Sequence, residues 1–236
     1  CLRAMDGATM SERFSYCTQT SGVRSPYSQS ALAITDVDRN GTPEVLYFST
    51  SNYLVALGAT GAFKWSVNIT SGGPRFTISA TDLTGDRTTE IVAGFKVISG
   101  STGTVLATLD SRCTASLPVD VDADGDQDIL CGGMLYLNNN GTLTQSWLDS
   151  SHAGGFPGIG DFDNDGSPEY IQSLSGYVYY YESNTTGTPT RSDRISSASD
   201  SGLPVMADFT GDGIVDYAVS ASSSIAIGNN NGITRT

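Results

Sequence analysis

The chain has 236 residues, enough for one large domain or two small ones, and 38% of them are hydrophobic, so a sizeable core is possible. A formal net charge of −13 argues against nucleic acid or an anionic membrane surface as partner, because both would be repelled, and favours something cationic. No window approaches the roughly 18 uninterrupted apolar residues of a membrane span and no apolar leader opens the chain, so membrane insertion is not expected and any export signal has already been removed.

In chain order, residues 1–29 hold "LRAMDGATMSERFSY", which reads as a hairpin with "DGATM" as its turn. Next, the short apolar run "ALAIT" leads into the acidic stretch "DVDRNGTPE" from Asp36, then "VLYFS" and the hairpin-like "YLVALGATGAFKWSV". The same succession returns as "FTISAT", "DLTGDRTTE" from Asp82, "IVAGF" and "FKVISGSTGTVLATL". It returns again with "DVDADGDQD" from Asp120 and "MLYLNNNGTLTQSW", with "DFDNDGSPE" from Asp161 and "YVYYYESNTTGTPTRSD", and with "DFTGDGIVD" from Asp208 and "SIAIGNNNGITRT". The apolar runs are short and rich in β-branched and aromatic residues, and Asn-Gly and Thr-Gly pairs between them are hairpin signals.

The five acidic stretches obey one template, D-x-[DT]-x-[DN]-[GR]-x-x-[DE], and recur about every 43 residues. Each repeat therefore predicts a four-stranded antiparallel meander, A-B-C-D, with the acidic turn between A and B. Four-stranded sheets repeated radially make an all-β propeller. The predicted blades span about 30–70, 75–111, 113–150, 155–198 and 202–236, all of one propeller, with 1–29 as an N-terminal half blade, a C–D hairpin and connector. Five blades and a half imply a segment of a longer chain with neighbouring domains. Alternatively the first hairpin closes a compact propeller as a clasp.

Crowded carboxylates repel one another and need a counter-charge. A hard cation such as Ca²⁺ takes six to eight oxygens at about 2.3–2.6 Å, and carboxylates at loop positions 1, 3, 5 and 9 with a carbonyl at 7 wrap it. The predicted ligands are Asp36, Asp38, Asn40, Thr42 and Glu44; Asp82, Thr84, Asp86, Thr88 and Glu90; Asp120, Asp122, Asp124, Asp126 and Asp128; Asp161, Asp163, Asp165, Ser167 and Glu169; and Asp208, Thr210, Asp212, Ile214 and Asp216, the fourth of each set through its backbone carbonyl. Up to five Ca²⁺ ions would bring −13 close to neutrality. An EF-hand is ruled out, because position 12 holds Tyr47, Ala93, Cys131, Gln172 and Val219 instead of Glu.

The five copies resemble the FG-GAP/VCBS repeats of integrin α-subunit propellers, "DFTGDGIVDYAVSAS" and "DFDNDGSPEY" most of all, over roughly residues 30–236. The Phe-Gly and Gly-Ala-Pro strings of that family are missing. Thr84 and Thr210 replace a position-3 carboxylate, and Arg87 stands where Gly would accept φ > 0, so the Asp82 site is expected to be the weakest. The resemblance implies an extracellular or cell-surface module for adhesion or recognition, with protein or glycan bound on the face away from the calcium loops.

Parity of a meander places the B–C and D–A connections on that opposite rim, where Arg75, Arg112 and His152 are the candidate ligand contacts. A polysaccharide lyase is the enzymatic alternative, and His152, the single histidine, has no companion nucleophile motif. A structural propeller segment in a large extracellular fibre or surface protein is the third reading. Cys1, Cys17, Cys113 and Cys131 permit three disulfide pairings, of which proximity favours Cys1 with Cys17 and Cys113 with Cys131; the opposing reading is four reduced, buried thiols. Sequons stand at Asn40, Asn68, Asn140 and Asn184, and Asn40, being also a position-5 ligand, is the poorest glycan acceptor. The "ATGAFKW" turn resembles those of quinoprotein propellers once only, so Trp65 is read as a blade-packing residue with no cofactor.

Overall fold

The computed structural model describes residues 1–17, 25–28, 30–69, 77–113, 115–182, 187–196, 201–221, 224–229 and 231–235. Among these, every regular element is a β-strand. A two-stranded antiparallel sheet, β1 (Leu2–Met5) and β2 (Glu12–Tyr16), comes first. Five four-stranded meanders follow. Repeat one is β3 (Leu32–Thr35), β4 (Glu44–Phe48), β5 (Tyr53–Leu57) and β6 (Phe63–Asn68). Repeat two is β7 (Ile78–Thr81), β8 (Glu90–Ala93), β9 (Lys96–Ser99) and β10 (Val105–Thr108). Repeat three is β11 (Leu117–Val119), β12 (Asp128–Leu130), β13 (Met134–Asn139) and β14 (Thr142–Leu148). Repeat four is β15 (Phe156–Gly160), β16 (Glu169–Leu174), β17 (Tyr177–Tyr181) and β18 (Arg191–Arg194). Repeat five is β19 (Val205–Ala207), β20 (Asp216–Ala221), β21 (Ser224–Asn229) and β22 (Gly232–Arg235).

Burial explains the two kinds of strand in the sequence. The second strands, such as β4 and β8, are covered on both faces and read as continuous apolar runs, whereas β3, β10 and β18 alternate between more and less exposed side chains. Pairing is antiparallel and in sequence order throughout. Four of the meanders carry an irregularity at one place, where the register of the last strand shifts by a residue. The extra residue is Lys64 between the pairs Leu57↔Phe63 and Ala56↔Trp65, Leu106 in repeat two, Ser146 in repeat three and Thr234 in repeat five. The β1–β2 ladder shifts likewise at Arg13.

The chain divides into two compact units, Cys1–Thr114 and Ala115–Thr236. In the first, Leu2 joins Tyr47, Val55 and Leu57 in one buried cluster, with Phe14 and Tyr16 packed against it. Each fully buried aliphatic there contributes about 1.5–3 kcal/mol. The contact demands glycine: a Cβ on Gly61 would stand 2.7 Å from the Phe14 ring, and one on Gly103 would stand 2.8 Å from Trp65. The β1–β2 hairpin thus meets repeat one as the β5–β6 hairpin meets repeat two, which makes it the equivalent of a C–D pair. Trp65 is buried, and its Nε1–H donates to the Gly100 carbonyl at 2.8 Å, so packing accounts for it.

In the second unit, Leu130, Leu135 and Trp147 of repeat three pack against Tyr170 and Tyr181 of repeat four, the Trp147 and Tyr181 rings stacking at 5.3 Å. Repeats four and five meet through Phe162, Ile171, Val178, Tyr180 and Ile195 on one side and Tyr217, Val219 and Ala226 on the other. The run "YVYYY" is thereby divided: Val178 and Tyr180 face repeat five, while Tyr179 and Tyr181 face repeat three. Cys1 and Cys17 form a disulfide that staples the β1–β2 hairpin, Cys113 and Cys131 are disulfide-bonded as well, and no cysteine is free.

Candidate metal loops and the opposite rim

Each A–B turn is built by three hydrogen bonds that recur in all five repeats. The position-6 N–H donates to the position-1 carboxylate: Gly41 to Asp36, Arg87 to Asp82, Gly125 to Asp120, Gly166 to Asp161 and Gly213 to Asp208, at 2.8–3.1 Å. The position-7 N–H donates to the position-5 side chain, Asn40, Asp86, Asp124, Asp165 or Asp212, at 2.7–2.9 Å. The position-2 N–H donates to the acid at position 9: Val37 to Glu44, Leu83 to Glu90, Val121 to Asp128, Phe162 to Glu169 and Phe209 to Asp216, at 2.7–3.0 Å. Positions 1 and 9 therefore fold the loop on themselves, and the position-9 acid lies buried at the root of the second strand in every repeat.

Backbone handedness follows the same template. Position 6 is left-handed in every loop, at Gly41, Arg87, Gly125, Gly166 and Gly213. Position 4 is left-handed too, at Arg39, Gly85, Ala123, Asn164 and Gly211, a requirement the sequence template left blank. Arg87, at φ 66, carries a Cβ where the other loops have glycine. Such a conformation costs a non-glycine residue about 1–2 kcal/mol. Arg87→Gly is expected to raise the melting temperature by a few degrees in thermal denaturation, the strain relieved outweighing the greater chain entropy of glycine.

Three loops bring carboxylate oxygens within 4.8 Å of one another: Asp161, Asp163, Asp165 and Glu169; Asp36, Asp38 and Glu44; and Asp120, Asp122 and Asp128. Loops two and five, with Thr84 and Thr210 at position 3, are not among these groups. Asp38 Oδ1, Asp82 Oδ1 and Asp120 Oδ1 are buried with no hydrogen-bond partner, an arrangement that costs about 1–3 kcal/mol per group unless a cation is there to meet it. Burial pushes the Glu169 carboxyl up to about 7, and Asp163, Glu182 and Asp161 add to the rise. Burial likewise raises Asp128, with Asp122 and Asp124 contributing. The hard oxygen donors of loops three and four, which have no lysine or arginine paired with them among the described residues, fit a divalent cation, which Asp161, Asp163, Asp165 and Glu169 would hold in loop four and whose charge would offset theirs.

In the connection after β10, away from the acidic turn of its own repeat, Arg112 forms a bidentate pair with Asp110, Nε to Oδ1 at 2.9 Å and Nη2 to Oδ2 at 2.8 Å, holding that carboxyl down to about 2. His152 belongs to a network: its Nδ1 lies 2.8 Å from Asp149 Oδ2, and the Tyr181 hydroxyl donates to the same oxygen at 2.9 Å. Gln172 Nε2 donates to the His152 carbonyl. Burial alone would raise the Asp149 carboxyl, but bonds from His152, Tyr181 and the Ser151 N–H outweigh it and hold it below the usual range. The His152 ring lies 4.1 Å from Tyr179, whose ring stacks on Tyr177 at 5.9 Å. The sequence marks the run "YVYYYE" (177–182) as a blade-packing strand or, in the lyase reading, a source of tyrosine chemistry, but it does not pair Asp149 with His152, for which the Asp-Ser-Ser-His spacing is the available signal. Arg75 and Asn184 lie outside the described residues. Asn68 sits half-buried on β6, and Asn140 is exposed in the turn after β13, its N–H donating to Asp126 Oδ2 at 2.7 Å.

Residues 161–219, from the start of loop four into β20, match the FG-GAP-like repeat family. No curated protein matches the sequence. Among solved structures, the V. cholerae biofilm matrix protein Bap1 superposes with a TM-score of 0.66 at 21% identity, over 95% of this chain and 45% of its own. BamB of Moraxella catarrhalis gives 0.62 at 16%, over 99% and 69%, and the Bacillus licheniformis rhamnogalacturonan lyase PL11 gives 0.58 at 14%, over 87% and 50%. The chain thus spans about half of the Bap1 and lyase chains. These likenesses are of fold, and they are propeller-like.

Proposed function

We propose that this chain is a calcium-stabilised β-propeller module, outside the cell, that recognises a glycan or protein on the rim away from its acidic loops and does no chemistry on it. Five meanders and a half, the FG-GAP-like match and the two disulfides support the architecture and an oxidising location. Calcium is the favoured cation because the loops offer oxygen donors only, at the spacing that suits a large, flexible coordination shell.

The observation that carries the recognition reading is the aromatic row His152–Tyr179–Tyr177. Tyr177 follows the β16–β17 turn and His152 lies between β14 and β15, so both belong to the rim opposite the acidic turns. All three side chains are only partly buried, and His152 is fixed from behind by the buried Asp149. Rigid rings with polar tips suit the flat apolar face and flanking hydroxyls of a sugar, and tyrosine is enriched at recognition surfaces generally. On a glycan array, the wild-type signal should fall about tenfold in Tyr177→Ala, the worth of one good stacking contact. Unchanged binding by that variant would remove this rim from the reading.

One observation favours a second reading. An imidazole oriented by a buried carboxylate is the arrangement of a general base, and Asp149–His152 has it. Turnover of an acidic polysaccharide by the wild type, abolished in His152→Ala, would make the chain a lyase-like enzyme instead.

A further inference from the structure

Loop one differs from the other four. Lys64 Nζ stands 2.5 Å from Asp38 Oδ2 and 2.6 Å from Glu44 Oε1, that is, from the acids at positions 3 and 9 of the template. Glu44 is fully buried, and its other oxygen already accepts the Val37 N–H at 3.0 Å. These separations fall in the range of about 2.3–2.6 Å that a Ca²⁺ ion would need to the same oxygens. An ammonium group and a metal ion cannot both take them.

The bulge in the last strand explains how lysine reaches the loop. Lys64 is the extra residue between the Phe63 and Trp65 pairings, and a bulge re-aims the side chain it carries. Repeats two, three and five keep the bulge but place Leu106, Ser146 and Thr234 there, and none of these residues is a cation. In repeat four Thr190 precedes the Arg191↔Tyr180 pair. Among the described residues, the ligand acids of loops three, four and five form no ion pair with lysine or arginine, while Asp82 of loop two lies 3.7 Å from Arg39.

We propose that Lys64 is the resident cation of loop one. The first repeat thereby holds its acidic turn closed without metal, and the calcium complement is set by the remaining loops. The inference goes beyond the recognition reading and rests on calcium binding only for its contrast.

Lys64→Ser, which copies the residue of repeat three, should free Asp38 and Glu44 for a metal. Calcium titration by isothermal calorimetry on the whole chain should give one more bound ion per chain in the variant than in the wild type. Equal, non-zero stoichiometry in both overturns the inference and leaves calcium binding standing. Zero in both overturns calcium binding as well. Should the variant fail to fold, hydrogen exchange on the wild type decides: excess chelator should leave the amides of residues 36–48 protected while those of 161–174 exchange at least tenfold faster. Equal acceleration of the two segments counts against Lys64.

Discussion

Excess chelator is expected to lower the melting temperature by roughly 20 °C or more. A ligand that binds the native state alone stabilises it by about 2.7 kcal/mol per site at a hundredfold excess over its Kd. Four such loops contribute on the order of 10 kcal/mol, and each kcal/mol moves a chain of this size by about 2–4 °C. Without the ion, the buried position-9 acids and the unpartnered Asp82 and Asp120 oxygens keep the desolvation cost and lose the charge that offsets it. The loss should be uneven. Loops three to five belong to the unit Ala115–Thr236, whereas Lys64 and Arg39 stand beside the acids of the unit Cys1–Thr114. Differential scanning calorimetry should therefore show the chelator moving one transition further than the other. A thermogram that is the same with and without chelator would end the calcium reading.

Much of this was legible because the loop chemistry is local. Positions 1, 5, 6, 7 and 9 of the acidic turn close on one another through bonds spanning no more than seven residues, so a nine-residue template could capture them. Arg87 stood out for the same reason: its left-handed backbone is dictated by a slot that glycine fills elsewhere. Lys64 was invisible to the template because its charge enters from a strand twenty residues beyond Glu44, through a bulge that strict alternation does not anticipate. The network around His152 was hidden from the sequence for a similar reason. The histidine's ring neighbour Tyr179 and its hydrogen-bond partner Gln172 come from other strands, and only Asp149 is close in sequence. Position 4 escaped because Arg39, Ala123 and Asn164 are all left-handed without being glycine, so composition carried no mark of it.

The Glu169 carboxyl provides a second measurable consequence, with an opposite sign to that of most acids. In the metal-free protein burial pushes it up to about 7 from an ordinary 4.5. Between those values the native state retains a proton that the unfolded chain has released. Stability of the metal-free protein should therefore be highest below pH 4.5, so far as this group decides it, and fall as pH rises to 7, by about 3 kcal/mol in all. Asp128, raised by burial in loop three, adds in the same direction. A cation must displace the Glu169 proton, so the affinity of loop four should drop about tenfold for each pH unit below 7, and the melting gap between calcium and chelator should widen from pH 5 to pH 8. Glu169→Gln separates the two effects, since the amide oxygen can still accept the Phe162 N–H but no charge forms. The metal-free variant should melt higher than the metal-free wild type at pH 7 and lose most of its pH dependence, while its gain from calcium shrinks. Chelated wild type whose melting temperature climbs from pH 5 to pH 7, with Glu169→Gln tracking it, would mean that the buried acid already has a counter-charge from the protein itself.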